Sequence, residues 1–151
     1  MFNKLDTLFA IIKINIITNI MLKILIVEDE QVLLTKLSDK LNSTGFDVIE
    51  AKDGKDGLKK ALKEQSNLIL LDLLMPRMDG VTMLTELRES GDYGKDVDVL
   101  VLTNLEPNNE VLSNMTMTQP VYYLIKSDTS LEEVCTKIRE ITSGSPLSDS
   151  N

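Results

Sequence analysis

Four apolar runs in this chain each stop at a charged or hydroxyl-bearing residue, and that pattern constrains the fold more than any other feature. Ile24-Leu25-Ile26-Val27 stops at Glu28-Asp29, and Leu68-Ile69-Leu70-Leu71 at Asp72. Val99-Leu100-Val101-Leu102 stops at Thr103, and Val121-Tyr122-Tyr123-Leu124-Ile125 at Lys126. If the runs are parallel strands of one sheet, the polar side chains gather at one edge. Open α/β sheets bind ligands at that edge, beyond the carboxyl ends of their strands.

The segments between the runs carry helical signals. The first strand is expected over Lys23–Val27. A helix over Gln31–Asn42 follows, with Leu33, Leu34, Leu37 and Leu41 on one face and Gly45 placed to end it. Phe46–Glu50 is a second strand, and the helix after Asp53-Gly54 turns Leu58, Ala61 and Leu62 inward. The third strand is Asn67–Asp72. Pro76 keeps Met75–Gly80 a loop, since the residue before proline avoids helical angles. Val81–Glu89 is a helix, Gly91–Gly94 a linker and Val97–Thr103 the fourth strand. Pro107 opens a short polar helix over Glu106–Met117, and Val121–Ile125 is the fifth strand. Ser130-Leu131-Glu132-Glu133 is a capping box that starts the last helix, whose inner stripe is Leu131, Val134, Cys135, Ile138 and Ile141.

Strands one, three and four are near-continuous apolar runs and so are buried on both faces, which means that helices cover both sides of the sheet. Right-handed crossovers then give a flavodoxin-like, doubly wound (βα)5 fold with a five-stranded parallel sheet of order 2-1-3-4-5. Strands one and three become neighbours, and Glu28-Asp29 faces Asp72.

Composition excludes several chemistries. The chain has no histidine, which rules out a Ser-His or Cys-His pair and a His-ligated metal. One cysteine, Cys135, rules out an internal disulfide and is read as a small core residue. A net charge of −8 argues against direct nucleic-acid binding. No segment before Met21 is apolar for the ~20 residues of a membrane span, and Lys13 and Asn15 break the centre that a signal peptide needs. Residues 1–20 are read either as a flexible or weakly amphipathic extension, or as lying ahead of a translation start at Met21. The second is favoured, because a domain of this kind is complete from Met21. The domain is expected over 21–142, with a disordered polar tail over 143–151.

Three carboxylates in one crevice repel, and a hard divalent cation such as Mg²⁺ relieves this with oxygen ligands. A lone Asp among them can attack phosphorus and form an acyl phosphate, with Lys126 and Thr103 as cation and hydroxyl donor.

These motifs, Ile24–Asp29, Leu70–Gly80, Leu102-Thr103-Asn104 and Tyr122–Lys126, resemble the receiver domain of bacterial two-component response regulators, chemotaxis regulators among them, over Met21 to about Ile141. The resemblance implies that Asp72 is the phosphoacceptor. Asp29 would ligate Mg²⁺ directly and Glu28 through water, with Asp72 and the backbone carbonyl of Leu74 completing the site. Thr103 and Lys126 would contact the phosphoryl group, and Tyr123 would be the aromatic switch that follows Thr103. The implied partners are a sensor histidine kinase or histidine phosphotransfer protein and an unidentified downstream protein. The expected chain is a stand-alone cytoplasmic receiver without nucleic-acid binding or membrane span, not an enzyme beyond its own phosphorylation and slow autodephosphorylation.

One departure from the family pattern is Ser127, where many receivers have proline after the lysine, often across a cis bond. It leaves the Lys126–Ser127 bond open between cis and trans. Rival readings fit less well. A phosphatase of the haloacid dehalogenase type needs an Asp two residues after the nucleophile, where Leu74 stands. A flavin-binding flavodoxin needs a phosphate-cradling loop where Glu28-Asp29-Glu30 stands. The alternative retained is a phosphorylation-independent interaction module on the same fold.

Overall fold

The structure is a computed structural model that describes residues 2–111, 113 and 122–144. Five strands, β1 (Lys23–Val27), β2 (Asp47–Ala51), β3 (Leu68–Leu71), β4 (Asp98–Thr103) and β5 (Tyr122–Ile125), form one parallel sheet of order β2-β1-β3-β4-β5. The helices are α1 (Lys4–Met21), α2 (Gln31–Ser43), α3 (Gly54–Glu64), α4 (Gly80–Arg88), α5 (Asp92–Asp96) and α6 (Leu131–Ser143). The fold expected from the apolar runs is the one observed.

Alternating strand residues feed two separate cores. Leu25, Val27, Ile69, Leu71, Val99 and Val101 pack with Ala61, Met83, Leu84 and Leu87 under α3 and α4. Ile24, Ile26, Leu68, Leu70, Leu100 and Leu102 pack with Leu34, Leu37, Leu41, Val134, Cys135 and Ile138 under α2 and α6. Cys135 is fully buried, and burial pushes its thiol pKa up, as suits a core residue. The capping box at Ser130 forms as expected, the Ser130 side chain accepting from the Glu133 N–H and Glu133 accepting from the Ser130 N–H.

Several local expectations are corrected. Leu62, expected inward, is 40% exposed. Ala61 is buried and Leu58 packs against the core as expected, but Gly54 and Gly57 complete the inner face of α3, because the helix lies close against β1. A Cβ on Gly57 would lie 2.8 Å from Val27 Cγ1. The Gly91–Gly94 linker is a short helix, α5, whose end the Arg88 side chain ties down through the carbonyls of Gly94 and Val97. Strand β2 begins at Asp47, one residue later than expected, and ends on buried Ala51. The helix expected from Glu106 begins only at 109, because Asn108 rather than the turn at Pro107 starts it. The Asn108 side chain accepts from the Val111 N–H at 2.9 Å. The far end of that helix, towards Met117, lies outside the described residues, as do residues 145–151 of the expected tail, whose first residue, Ser143, instead ends α6.

Residues 4–21, read above either as a flexible or weakly amphipathic extension or as lying ahead of a start at Met21, form a helix. Asn3 starts it by accepting from the Asp6 N–H at 2.8 Å, and no Gly or Pro interrupts it. Among the described residues, no helix is long and apolar enough to cross a membrane.

Candidate phosphoacceptor site

Sheet register assembles the site. Val27 pairs with Leu71, so Glu28 and Asp72, the next residue on each chain, emerge side by side between β1 and β3. Thr103 pairs with Ile125, which brings Lys126 out one step beyond β5. The N-terminus of α4 abuts the end of β3 at Gly80. A Cβ there would lie 2.3 Å from the Asp72 carbonyl oxygen, so only glycine permits the approach.

The three carboxylates expected from sequence do converge. Glu28, Asp29 and Asp72 each offer an oxygen, all within 4.8 Å of one another. Glu28 and Asp72 are buried, at 2% and 4% exposed, while Asp29 faces solvent. Lys126 bridges the buried pair, its Nζ lying 2.6 Å from Glu28 Oε2 and 2.7 Å from Asp72 Oδ2. The remaining oxygens accept from backbone: Asp72 Oδ1 from the Leu74 N–H at 3.1 Å, and Glu28 Oε1 from the Glu30 N–H at 3.0 Å.

Burial holds the Glu28 carboxyl above its ordinary pKa, even with Lys126 hydrogen-bonded to it, and the Asp72 charge adds to the rise. Burial alone would lower the Lys126 ammonium, but its hydrogen bonds to Asp72 and Glu28 raise it overall. Lys126 is therefore fully charged at neutral pH. An all-oxygen cluster with more negative than positive charge suits a hard divalent cation.

Thr103 is fully buried, and its Oγ1 accepts from the Leu105 N–H at 3.3 Å. The half-buried Tyr123 donates its hydroxyl to the Leu105 carbonyl. Leu105 thus links the two residues expected to move together. Burial, with the nearby charges of Glu106 and Asp72, raises the Tyr123 pKa, so the phenol keeps its proton to donate.

The Lys126–Ser127 bond is trans. Lys126–Asp128 forms a 3₁₀ turn, and the Ser127 N–H donates to Asn104 Oδ1 at 3.0 Å. A proline at 127 has no N–H, so this tie from the β4 loop is specific to a non-proline residue there. Asn104 and Leu105 were not assigned roles from the sequence. Asn104 acts through a backbone N–H and Leu105 through its own backbone, and neither leaves a signature in residue type.

Comparisons with known proteins agree with this architecture. The family described as the response regulator receiver domain matches residues 24–139. The chain belongs to the response regulator receiver domain family. It is 33% identical over 119 residues to the probable transcriptional regulator ycf27 of Porphyridium aerugineum, covering 79% of this chain and 47% of that one. It is 45% identical over 67 residues to the alkaline phosphatase synthesis transcriptional regulatory protein PhoP of Bacillus subtilis, covering 44% of this chain and 28% of that one. The receiver therefore spans about half the length, or less, of these curated relatives. Among solved structures it resembles the chemotaxis protein CheY4 of Vibrio cholerae (26% identity, TM-score 0.72, 80% of this chain and 98% of that one). It also resembles the response regulator protein TrrA of Thermotoga maritima in complex with Mg²⁺–BeF (26% identity, TM-score 0.67, 80% and 99%). Receiver domains are signalling domains rather than classical enzymes, and they bind Mg²⁺ at an acidic site.

Proposed function

We propose that this receiver is a phosphorylation-dependent signalling switch of a two-component system, with Asp72 as its phosphoacceptor. The observation that carries the reading is the setting of the Asp72 carboxylate. It is buried at the carboxyl edge of the sheet, held by Lys126 and by the Leu74 N–H, with Glu28 and Asp29 beside it. The donor is a phosphohistidine on another protein, a sensor histidine kinase or a histidine phosphotransfer protein, since this chain has no histidine.

An Asp72 oxygen forms the new P–O bond as the P–N bond of the donor breaks. The electron pair leaves on the imidazole nitrogen, which takes up a proton. Glu28, Asp29, Asp72 and the backbone carbonyl of Leu74 would hold Mg²⁺, which when bound neutralises phosphoryl charge. Lys126 exchanges the Asp72 oxygen for a phosphoryl oxygen. The Thr103 hydroxyl turns from accepting the Leu105 N–H to donating to the phosphoryl group. Releasing Leu105 loosens the carbonyl that holds the Tyr123 hydroxyl. Tyr123 then follows Thr103 and changes the surface offered beside β5 to a downstream protein. Slow hydrolysis of the acyl phosphate resets the switch. A single buried cysteine suits action in the cytoplasm.

The test is intact mass after incubation with acetyl phosphate and Mg²⁺. One phosphoryl group is expected on the native chain, none on Asp72→Asn, and none on either when Mg²⁺ is chelated. A native chain that takes up no phosphate would instead support a phosphorylation-independent interaction module.

A further inference from the structure

Among the described residues, eight of the eleven exposed large hydrophobics lie between Phe2 and Ile16, on or just before α1. Leu5, Leu8, Phe9, Ile12 and Ile16 follow spacings of three and four, and at helical pitch they fall within an arc of about 100°. Each is roughly half exposed, from 45% for Ile12 to 63% for Phe9. Among the described residues, the helix makes no extended packing contact with the rest of the fold. Both faces of the sheet already have cores of their own beneath α2, α3, α4 and α6. An isolated helix of 18 residues, rich in Ile and Asn, is marginal in water, so this one needs a partner.

The flanking charges indicate which partner. Asp6 and Lys13 are seven residues apart and so lie on the same flank of the stripe. Lys13 has no ion-pair partner among the described residues. In a two-fold pair, any contact from residue i to j is repeated from j to i. An antiparallel pair with its axis near Phe9 and Ala10 therefore sets Asp6 against Lys13 twice. A parallel pair brings Asp6 near Lys4 on the other flank, but it leaves Lys13, further along the stripe, facing no acid and sets the two helix dipoles side by side in the same sense. We propose that α1 is a homodimerisation element that pairs antiparallel with the α1 of a second copy across the Leu5–Ile16 stripe.

Five half-exposed side chains of about 90 Å² each give roughly 900 Å² over both copies, near the lower bound for a specific interface. The expected dimer is correspondingly weak, with a Kd on the order of 10 μM.

Sedimentation equilibrium of the full chain from about 1 to 100 μM tests this. The native chain is expected to dimerise over that range, and Ile12→Asp to weaken the dimer at least about tenfold. Lys13→Asp creates two like-charge contacts and is expected to weaken it roughly fivefold. Adding Asp6→Lys to Lys13→Asp restores both pairs and most of the affinity, even though it removes the 3.4 Å bond from the Asn3 N–H to Asp6. These charge variants leave the apolar stripe intact, so they remain informative if Ile12→Asp disturbs the helix. A native chain that stays monomeric at 100 μM would overturn the proposal, whether or not it binds phosphatidylcholine vesicles. So would a dimer indifferent to Lys13→Asp, or one that the second substitution fails to restore.

Discussion

The two ends of the parallel sheet treat their polar groups in opposite ways. At the amino edge, polar groups are matched by partners within the fold, among them the Lys23–Glu64 ion pair at 3.6 Å. The Lys23 N–H donates to Asn67 Oδ1 at 2.8 Å, and the Tyr93 hydroxyl donates to the Ser66 carbonyl at 3.0 Å. Arg88 Nη1 donates to the carbonyls of Gly94 at 2.9 Å and Val97 at 2.7 Å. At the carboxyl edge, Glu28 and Asp72 share a single ammonium, and a third carboxylate stands beside them. One edge is matched as folded. The other is left with excess negative charge of the kind a cation can balance. In a parallel sheet the strand direction makes this division possible, because every carboxyl end points the same way.

The sharpest way to break the comparison is Lys126→Met. It leaves two buried carboxylates without their shared cation and is expected to cost about 3 kcal/mol in urea unfolding without metal. Adding Mg²⁺ is expected to stabilise the native chain by mass action and to recover part of the Lys126→Met loss. If Lys126→Met were neutral, or if Mg²⁺ changed neither protein, the carboxyl edge would not be the charge-poised end described here.

The matching change at the amino edge is smaller and metal-blind. Arg88→Leu leaves carbonyls at the end of α5 without their donor and is expected to cost about 1–3 kcal/mol. Tyr93→Phe removes the hydroxyl that donates to the Ser66 carbonyl and meets Ser66 Oγ, and is expected to cost about 1 kcal/mol. Thermal melts with and without Mg²⁺ should shift both variants in parallel with the native chain. A Mg²⁺-dependent rescue of Arg88→Leu would mean that the two ends are coupled.

The same division explains what the sequence revealed. The fold was legible because each buried strand needs an unbroken apolar run, and such runs cannot be hidden in composition. The carboxyl-edge residues were legible because Glu28, Asp72, Thr103 and Lys126 interrupt those runs at matched positions, which register then converts into contact. Side chains acting on backbone groups were not legible. Asn104 holding Ser127, Asn108 starting a helix ahead of Pro107's claim, and Asn3 starting α1 all use common polar residues. Their partners are N–H groups that every residue has. Leu62 misled because helical spacing alone did not weigh the close approach that Gly57 allows. The cluster was read from residue types, but its balance of charge came from geometry, in particular from Lys126 reaching both buried carboxylates.

The subtlest test of the comparison is pH. Burial raises the folded-state pKa of Glu28, so in a window opening at its ordinary value of about 4.5 the folded protein binds more protons than the unfolded chain. Stability then falls as pH rises through that window, because ionising Glu28 costs more in the fold than in water. It levels off above the folded-state pKa. Lys126, raised above its ordinary 10.5, stays charged throughout and opposes the rise at Glu28, while the Asp72 carboxylate facing Glu28 adds to it. Glu28→Gln removes this titration. In metal-free urea unfolding, the stability of the native chain relative to Glu28→Gln is therefore expected to decline as pH rises from about 4.5 and to flatten above the folded-state pKa. A difference that grew with pH instead would mean that Lys126 outweighs burial at Glu28. The carboxyl edge would then be as fully compensated as the amino edge, and its dependence on a bound cation would need another cause.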